Sequence, residues 1–209
     1  MLTKWTRLLA CSIPFAAVAI SGGSQATEPV RVVIATDKGD IEVELDAARA
    51  PATVANFLKY VDGKFYEGGQ FHRTVTPDNQ PQNKVKIEVI QAGINPKKTK
   101  EEFPPIKLER TRDTKLSHKD GTISMARDGP DTATSDFFIC IGDQPDLDFD
   151  GKRNPDGQGF AAFGKVVKGM EVVKAIQSAP AKGQDLTARG LRHHPEAQLF
   201  LVTGGPITP

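Results

Sequence analysis

The chain lacks most of the features that would fix a function directly. It has only two cysteines, Cys11 and Cys140, too few for a disulfide framework. It lacks an excess of either charge: 27 Lys+Arg against 26 Asp+Glu leave a net +1. There is thus no basic surplus to argue for nucleic acid and no acidic tail. No Gly-rich phosphate loop sits between a strand and a helix. Neither Ser117 nor Ser124 lies in a nucleophile elbow, and no pair of carboxylates flanks an obvious cleft motif. Kinase, dinucleotide and hydrolase chemistry therefore have no support. Long apolar runs are missing too: "LLACSIPFAAVAI" at 8–20 is too short to span a bilayer comfortably.

That stretch has another reading. Lys4 and Arg7 precede it and the small residues "SQA" at 24–26 follow it, the pattern of a secretory leader. Residues 1–26 are expected to be a signal peptide, with the mature domain running from 27 to 209 and a periplasmic location. "LLAC" resembles a lipid-attachment motif, but the apolar run follows Cys11 instead of preceding it, so lipid anchoring there is not expected. Cys140 is then the sole thiol. It lies in the apolar run "FFICIG" and is expected to be buried and inert.

Fifteen prolines and nineteen glycines imply many turns and short strands. "VRVVIATDKGDIEVELD" (30–46) reads as a hairpin turning at Asp37-Lys38-Gly39. Alternating or apolar runs at 85–93, 121–126, 136–142, 160–167 and 197–204, together with "QFHRTV" (70–75), supply the remaining strands. "APATVANFLKYVDGK" (50–64) and "GMEVVKAIQSA" (169–179) carry helical spacing, the first opened by Pro51 and closed by Gly63. "TPDNQPQNK" (76–84) and "NPKKTKEEFPP" (95–105) read as exposed loops. The expectation is a mainly β domain: a closed eight-stranded antiparallel β-barrel capped by two α-helices.

Two features could carry chemistry. "DLDFDG" (146–151) begins like a calcium loop, but its seventh position is Lys152 and its twelfth is Gly157, leaving the ion short of oxygens. No metal is expected there. The second is Phe71-His72-Arg73. An arginine is charged at any physiological pH and presents five fixed donors, so a half-apolar strand is a costly place for it without acceptors.

The segments "FHR" (71–73), "VIQAG" (89–93), "GTISMAR" (121–127), "TSDFFICIG" (134–142), "LD" (147–148) and "FAAFGKVVKGM" (160–170), in that order, resemble the cyclophilin-type peptidyl-prolyl isomerases. The secreted bacterial members are the most similar, and the resemblance runs from about residue 30 to the C-terminus. It implies the barrel with two helices expected above, and puts the catalytic role on Arg73. It also places His72, Val89, Gln91, Met125, Ala126, Arg127, Phe138, Leu147 and Phe160 at or beside the substrate groove. The implied substrate is an Xaa-Pro bond in an unfolded or flexible polypeptide. A monomer is expected, without cofactor, nucleic-acid partner or stable membrane association.

The chemistry suits an arginine. Rotation about an Xaa-Pro amide costs ~18–20 kcal/mol because the nitrogen lone pair is delocalised into the carbonyl. In the twisted state the lone pair relocalises and accepts a hydrogen bond better. A stiff, permanently charged guanidinium beside the prolyl nitrogen then favours the twist over either planar isomer. Some positions depart from the family pattern. Glu88 stands where an aromatic is usual and Asp136 where Gln is common, and Asp146 replaces an aromatic before Leu147. Glu88 could pair with Arg73 and blunt it, with Ile87 partly replacing the missing aromatic wall. A non-enzymatic module that holds proline-containing segments on the same fold is the alternative.

Overall fold

The computed structural model describes residues 30–179 and, by their backbone, 198–202. The expected leader, with Cys11 and the cleavage point near Thr27, lies outside these residues. Strands β1 (Val30–Thr36) and β2 (Gly39–Leu45) form the hairpin. Gly39 there takes φ +128°, a conformation open to a residue without Cβ. Helix α1 (Pro51–Asp62) follows, then β3 (Gly69–Val75), β4 (Val89–Gly93) and a single helical turn, α2 (Thr111–Thr114). Strands β5 (Thr122–Met125), β6 (Phe137–Cys140) and β7 (Ala161–Lys168), helix α3 (Met170–Ser178) and β8 (Gln198–Val202) complete the order.

The architecture is mainly β. Seven strands form one curled antiparallel sheet in the order β1-β2-β7-β5-β6-β4-β3. Strand β8 pairs antiparallel with β1 and with β3, the outer members of that series. Strand alternation decides what each residue does. Phe71, Ile90, Ala92, Ile123, Met125, Phe137, Ile139 and Phe163 point inward to one large core. Helix α1 presses Phe57 into it, with Tyr66, Phe137 and Phe163 at ring-centroid distances of 5.2–5.4 Å. Helix α3 contributes Val172, Val173 and Ile176. Among the described residues no helix is long and apolar enough to cross a membrane.

Helix α1 lacks a side-chain cap of its own because Ala50 occupies that position. Glu109, remote in sequence, supplies it: its carboxylate accepts from the main-chain N–H groups of Ala52 and Thr53 and from the Thr53 hydroxyl. A carboxylate at a helix N-terminus satisfies orphan donors and meets the positive end of the helix dipole.

Three local expectations change. The run at 85–93 becomes a strand only from Val89, because the amide of Gln80 takes up the Ile87 main chain. The loop at 76–84 is organised, not simply exposed. Gln80 is 2% exposed and also donates to the Thr76 carbonyl. The segment at 95–105 holds a 3-10 helix over Pro96–Glu101, and Phe103 packs edge-on against Tyr60.

Candidate active site

The opposite face of the same sheet carries a second, smaller apolar cluster: Val75, Ile87, Val89, Phe138, Cys140 and Leu147, flanked by Ala126 and Phe160. It floors a cleft of about 660 Å³. How Arg73 reaches this face is a matter of register. Strand β3 pairs with β4 as Phe71↔Ala92 and then Arg73↔Gln91, leaving His72 as an extra residue. Without such a bulge, Phe71, Arg73 and Val75 would share one face. With it, Phe71 stays in the inner core while Arg73 and Val75 turn outward, the re-aiming that bulges produce beside functional sites.

Arg73 Nη1 donates to Gln91 Oε1 at 2.9 Å, and Gln91 Nε2 donates to Asp136 Oδ2 at 3.3 Å. The guanidinium only donates and the carboxylate only accepts, so the orientation of the Gln91 amide is fixed by its two neighbours. Asp136 Oδ2 also lies 3.4 Å from His72 Nε2. Arg73 Nε is buried and has no hydrogen-bond partner among the described residues. Burial, with the nearby charge of Arg153 adding to it, lowers the Arg73 pKa from its ordinary value. Asp136 shifts the other way: burial raises its pKa, His72 and the Gln91 hydrogen bond oppose the rise, and Glu102 and Asp128 add to it.

The apolar seat is built from Phe138 and Phe160, edge to face at 5.3 Å, with Leu147, 1% exposed, in the same cluster. Beneath Phe138 the His118 ring stacks at 5.9 Å and 15°. His118 Nδ1 lies 2.7 Å from Asp148 Oδ1 and its Nε2 lies 2.9 Å from Ser124 Oγ. This Ser–His–Asp row is sealed, with Ser124 at 0% and His118 at 1% exposure. It satisfies buried polar groups and fixes the floor, and no substrate can reach the hydroxyl. Sequence spacing gave no hint of it, because residues 118, 124 and 148 meet only through the sheet and the loop beyond β6.

The structure brings most of the expected groove residues together. Arg73, Val89, Gln91, Ala126, Arg127, Phe138, Leu147 and Phe160 all line the cleft. Met125 does not: β5 turns Ser124 outward and Met125 into the inner core, at 1% exposure. His72 stands behind Asp136 and is not part of the cleft lining. The Arg127 side chain is already committed. Its Nη1 and Nη2 bind Asp156 at 2.7 and 3.0 Å, Nε donates to the Gly159 carbonyl, and the guanidinium lies 5.0 Å from the Phe160 ring centroid. It latches the 156–160 segment and backs Phe160.

Ile87 lines the cleft, as the missing aromatic would require, while Glu88 accepts from Gln177 on α3. That partner takes up the carboxylate that could have blunted Arg73. Arg153, Asn83, Glu102 and Asp128 also line the cleft, and sequence reasoning singled out none of them. In the calcium-like loop, Asp148 engages His118 while Asp146 accepts the Lys152 N–H. Among the described residues no cluster of three or more His, Cys, Asp or Glu side chains could hold a metal ion. Cys140 is fully buried, which pushes its thiol pKa far up. A second cavity, of about 790 Å³, opens between β2, β7 and the 115–119 segment and shares no residue with this cleft.

The model of the cyclophilin type peptidyl-prolyl cis-trans isomerase/CLD family matches residues 31–192. The chain belongs to the cyclophilin-type peptidyl-prolyl cis-trans isomerase family. Among cyclophilin relatives, it is 42% identical over 159 residues to peptidyl-prolyl cis-trans isomerase A of Dickeya dadantii, covering 76% of each chain. It is 37% identical over 150 residues to a peptidyl-prolyl cis-trans isomerase of Acinetobacter baylyi, covering 71% of this chain and 72% of that one. A Cryptosporidium parvum cyclophilin, crystallised in the presence of the dipeptide Ala-Pro, shares the fold. Its TM-score is 0.64 at 22% identity, over 84% of this chain and 99% of that one.

Proposed function

We propose that the protein accelerates cis–trans rotation about Xaa-Pro bonds in unfolded or flexible polypeptides, with Arg73 as the catalytic residue. The observation that carries this is one juxtaposition. A guanidinium tethered by Gln91 stands at the rim of an apolar seat made by Phe138, Leu147 and Phe160. The seat suits a pyrrolidine ring, and the guanidinium suits the electron density that appears on the prolyl nitrogen as the bond twists. The Ala-Pro dipeptide named with the Cryptosporidium relative supports the same substrate class.

Catalysis here is differential binding. Arg73 gains a hydrogen bond in the twisted state that neither planar isomer offers, and no covalent intermediate or proton transfer is needed. One preorganised donor aimed at developing charge supplies ~2.7–4 kcal/mol in comparable sites. Gln91 positions Arg73. Val89, Ile87 and Ala126 complete the walls, and the main chain near Arg127 holds the substrate backbone.

The same reading takes residues 1–26 as a secretory leader, residues 27–209 as one periplasmic domain, and the molecule as a monomer without a cofactor. It also takes the sheet as a closed eight-stranded barrel capped by α1 and α3, which the pairing of β8 with both β1 and β3 supports.

A protease-coupled assay on a short Ala-Pro peptide tests the function. The wild type is expected to accelerate isomerisation, and Arg73→Ala to lower kcat/KM by roughly 10²–10³, the equivalent of the ~2.7–4 kcal/mol above. An Arg73→Ala rate equal to wild type would overturn the mechanism.

A further inference from the structure

Apart from Arg127, whose charge is neutralised by its ion pair with Asp156, the charges around the cleft are sorted by sign, and the sorting follows the direction of β4. At the Val89 end, Arg153 reaches over from the loop after Leu147. Its Nη1 donates to Gln80 Oε1 at 2.8 Å and to the Val85 carbonyl at 2.7 Å. The middle is the Gln91–Phe138 pair, with Arg73 beside it. Towards the Gly93 end stand Asp136, with Glu102 held by the Ser135 hydroxyl, and Asp128.

Neither Arg73 nor Arg153 has a carboxylate within ion-pair distance among the described residues. Burial lowers the pKa of Arg73, with the nearby charge of Arg153 adding to it, and burial lowers that of Arg153. Burial raises that of Asp136, with His72 and the Gln91 hydrogen bond opposing the rise and Glu102 and Asp128 adding to it. Like charges gathered on each side of an apolar seat cost free energy in the empty protein. The arrangement is relieved by a ligand of complementary polarity.

Resting on the isomerase reading above, we propose that Arg153 is a specificity-determining residue. It makes one end of the cleft cationic against the Glu102, Asp128 and Asp136 rim, so that the enzyme selects Xaa-Pro segments with an anionic side chain on one flank of the proline and a cationic one on the other. Gln80 and the Val85 carbonyl hold only Nη1. The fork of a guanidinium is suited to a carboxylate on its remaining donors. The long 76–87 segment thereby acquires a purpose: through Gln80 it fixes Ile87 as a wall and Arg153 as a charge.

Two peptides of identical composition test this, one with Glu before and Lys after a central Ala-Pro, the other with the two exchanged. A neutral Ala-Pro peptide serves as the reference, and kcat/KM is read by NMR exchange at low ionic strength. Identical net charge removes general electrostatic attraction from the comparison. The wild type is expected to favour one polarity by about fivefold or more, equivalent to ~1 kcal/mol. The preference should shrink towards unity at 0.5–1 M salt, where the screening length falls to roughly 3–4 Å. Arg153→Gln should bring the ratio to within about twofold, and Arg153→Lys should keep most of it, because ~1 kcal/mol is a charge effect of modest size. Equal rates on the two charged peptides, with the neutral one still turned over, would overturn the role of Arg153 and leave the isomerase reading standing. An unchanged ratio in Arg153→Gln would do the same. No turnover of any of the three peptides would remove the isomerase reading itself.

Discussion

Phe137 and Phe138 are neighbours in sequence and opposites in environment. Phe137 points into the inner core, its ring 5.4 Å from Phe57 and 5.6 Å from Tyr66. Phe138 points to the other face, over His118 and against Phe160, and lines the cleft. The inner face is apolar and closed. The outer face has a small apolar cluster and, at its rim, a guanidinium that the bulge at His72 has turned outward. One sheet thus does two jobs by alternation, interrupted at the His72 bulge: residues on the inner face hold the fold, and those on the outer face build the seat.

Alanine substitution at the two phenylalanines would break this contrast most forcefully. Phe137→Ala is expected to cost ~3–5 kcal/mol of stability, the range for emptying a buried aromatic site, visible as a lower denaturant midpoint. Phe138→Ala should cost less than ~3 kcal/mol, because its cavity opens to the cleft and water can enter. It should instead lower kcat/KM roughly tenfold or more as the seat loses contact worth ~1.4 kcal/mol. Equal stability losses at the two positions, or full activity in Phe138→Ala, would erase the distinction between the faces.

The buried row beneath the seat sharpens the comparison at smaller scale. Ser124→Ala leaves His118 Nε2 buried without its partner, at a cost of ~1–3 kcal/mol. The lost bond should loosen the ring under Phe138, so KM is expected to rise more than kcat falls. A purely structural role would lower stability and leave both constants unchanged.

Two aspartates of the outer face are expected to titrate in opposite senses. The Arg127 hydrogen bond holds Asp156 below the ordinary 3.8. Its contribution is full above that value and is lost as pH falls through the lower folded pKa. Burial raises Asp136 above 3.8. Its ionisation therefore works against the fold, and stability declines as pH rises from 3.8 through the raised folded value. Melting curves of Asp156→Asn and Asp136→Asn against pH should converge on wild type at acid pH. At neutral pH Asp156→Asn should fall below wild type, and Asp136→Asn should not. The same direction of departure in both variants would contradict this assignment of charges.

Much of the fold was legible because its strands and helices carry clean periods. The hairpin at 30–46 and the helices at 51–62 and 170–178 lie where spacing put them. The motif residues of the groove were legible through the family resemblance, and most converge on the cleft. The rest depended on events that a period does not record. The bulge at His72 breaks the alternation of "FHRTV" and alone explains why Phe71 and Arg73 face apart. The parity of β5 buries Met125, whose neighbour Ala126 reaches the cleft instead. Gln80 sits in a stretch polar enough to read as solvent-exposed, yet its amide closes a buried loop. Arg153 lies in a turn that resembled a calcium site, and only the folded loop carries it to Arg73.

The sharpest test separates binding from rotation at Arg73. Exchange spectroscopy on an Ala-Pro peptide gives the catalysed interconversion rate and the dissociation constant in one sample, for wild type and for Arg73→Lys. The expected result is a rate lower by roughly 10² or more with affinity within a few-fold, because the guanidinium acts on the twisted bond and the seat holds either planar isomer. A rate and an affinity that fall together, or a rate that does not fall, would show that Arg73 binds the peptide or stands aside without stabilising the twist.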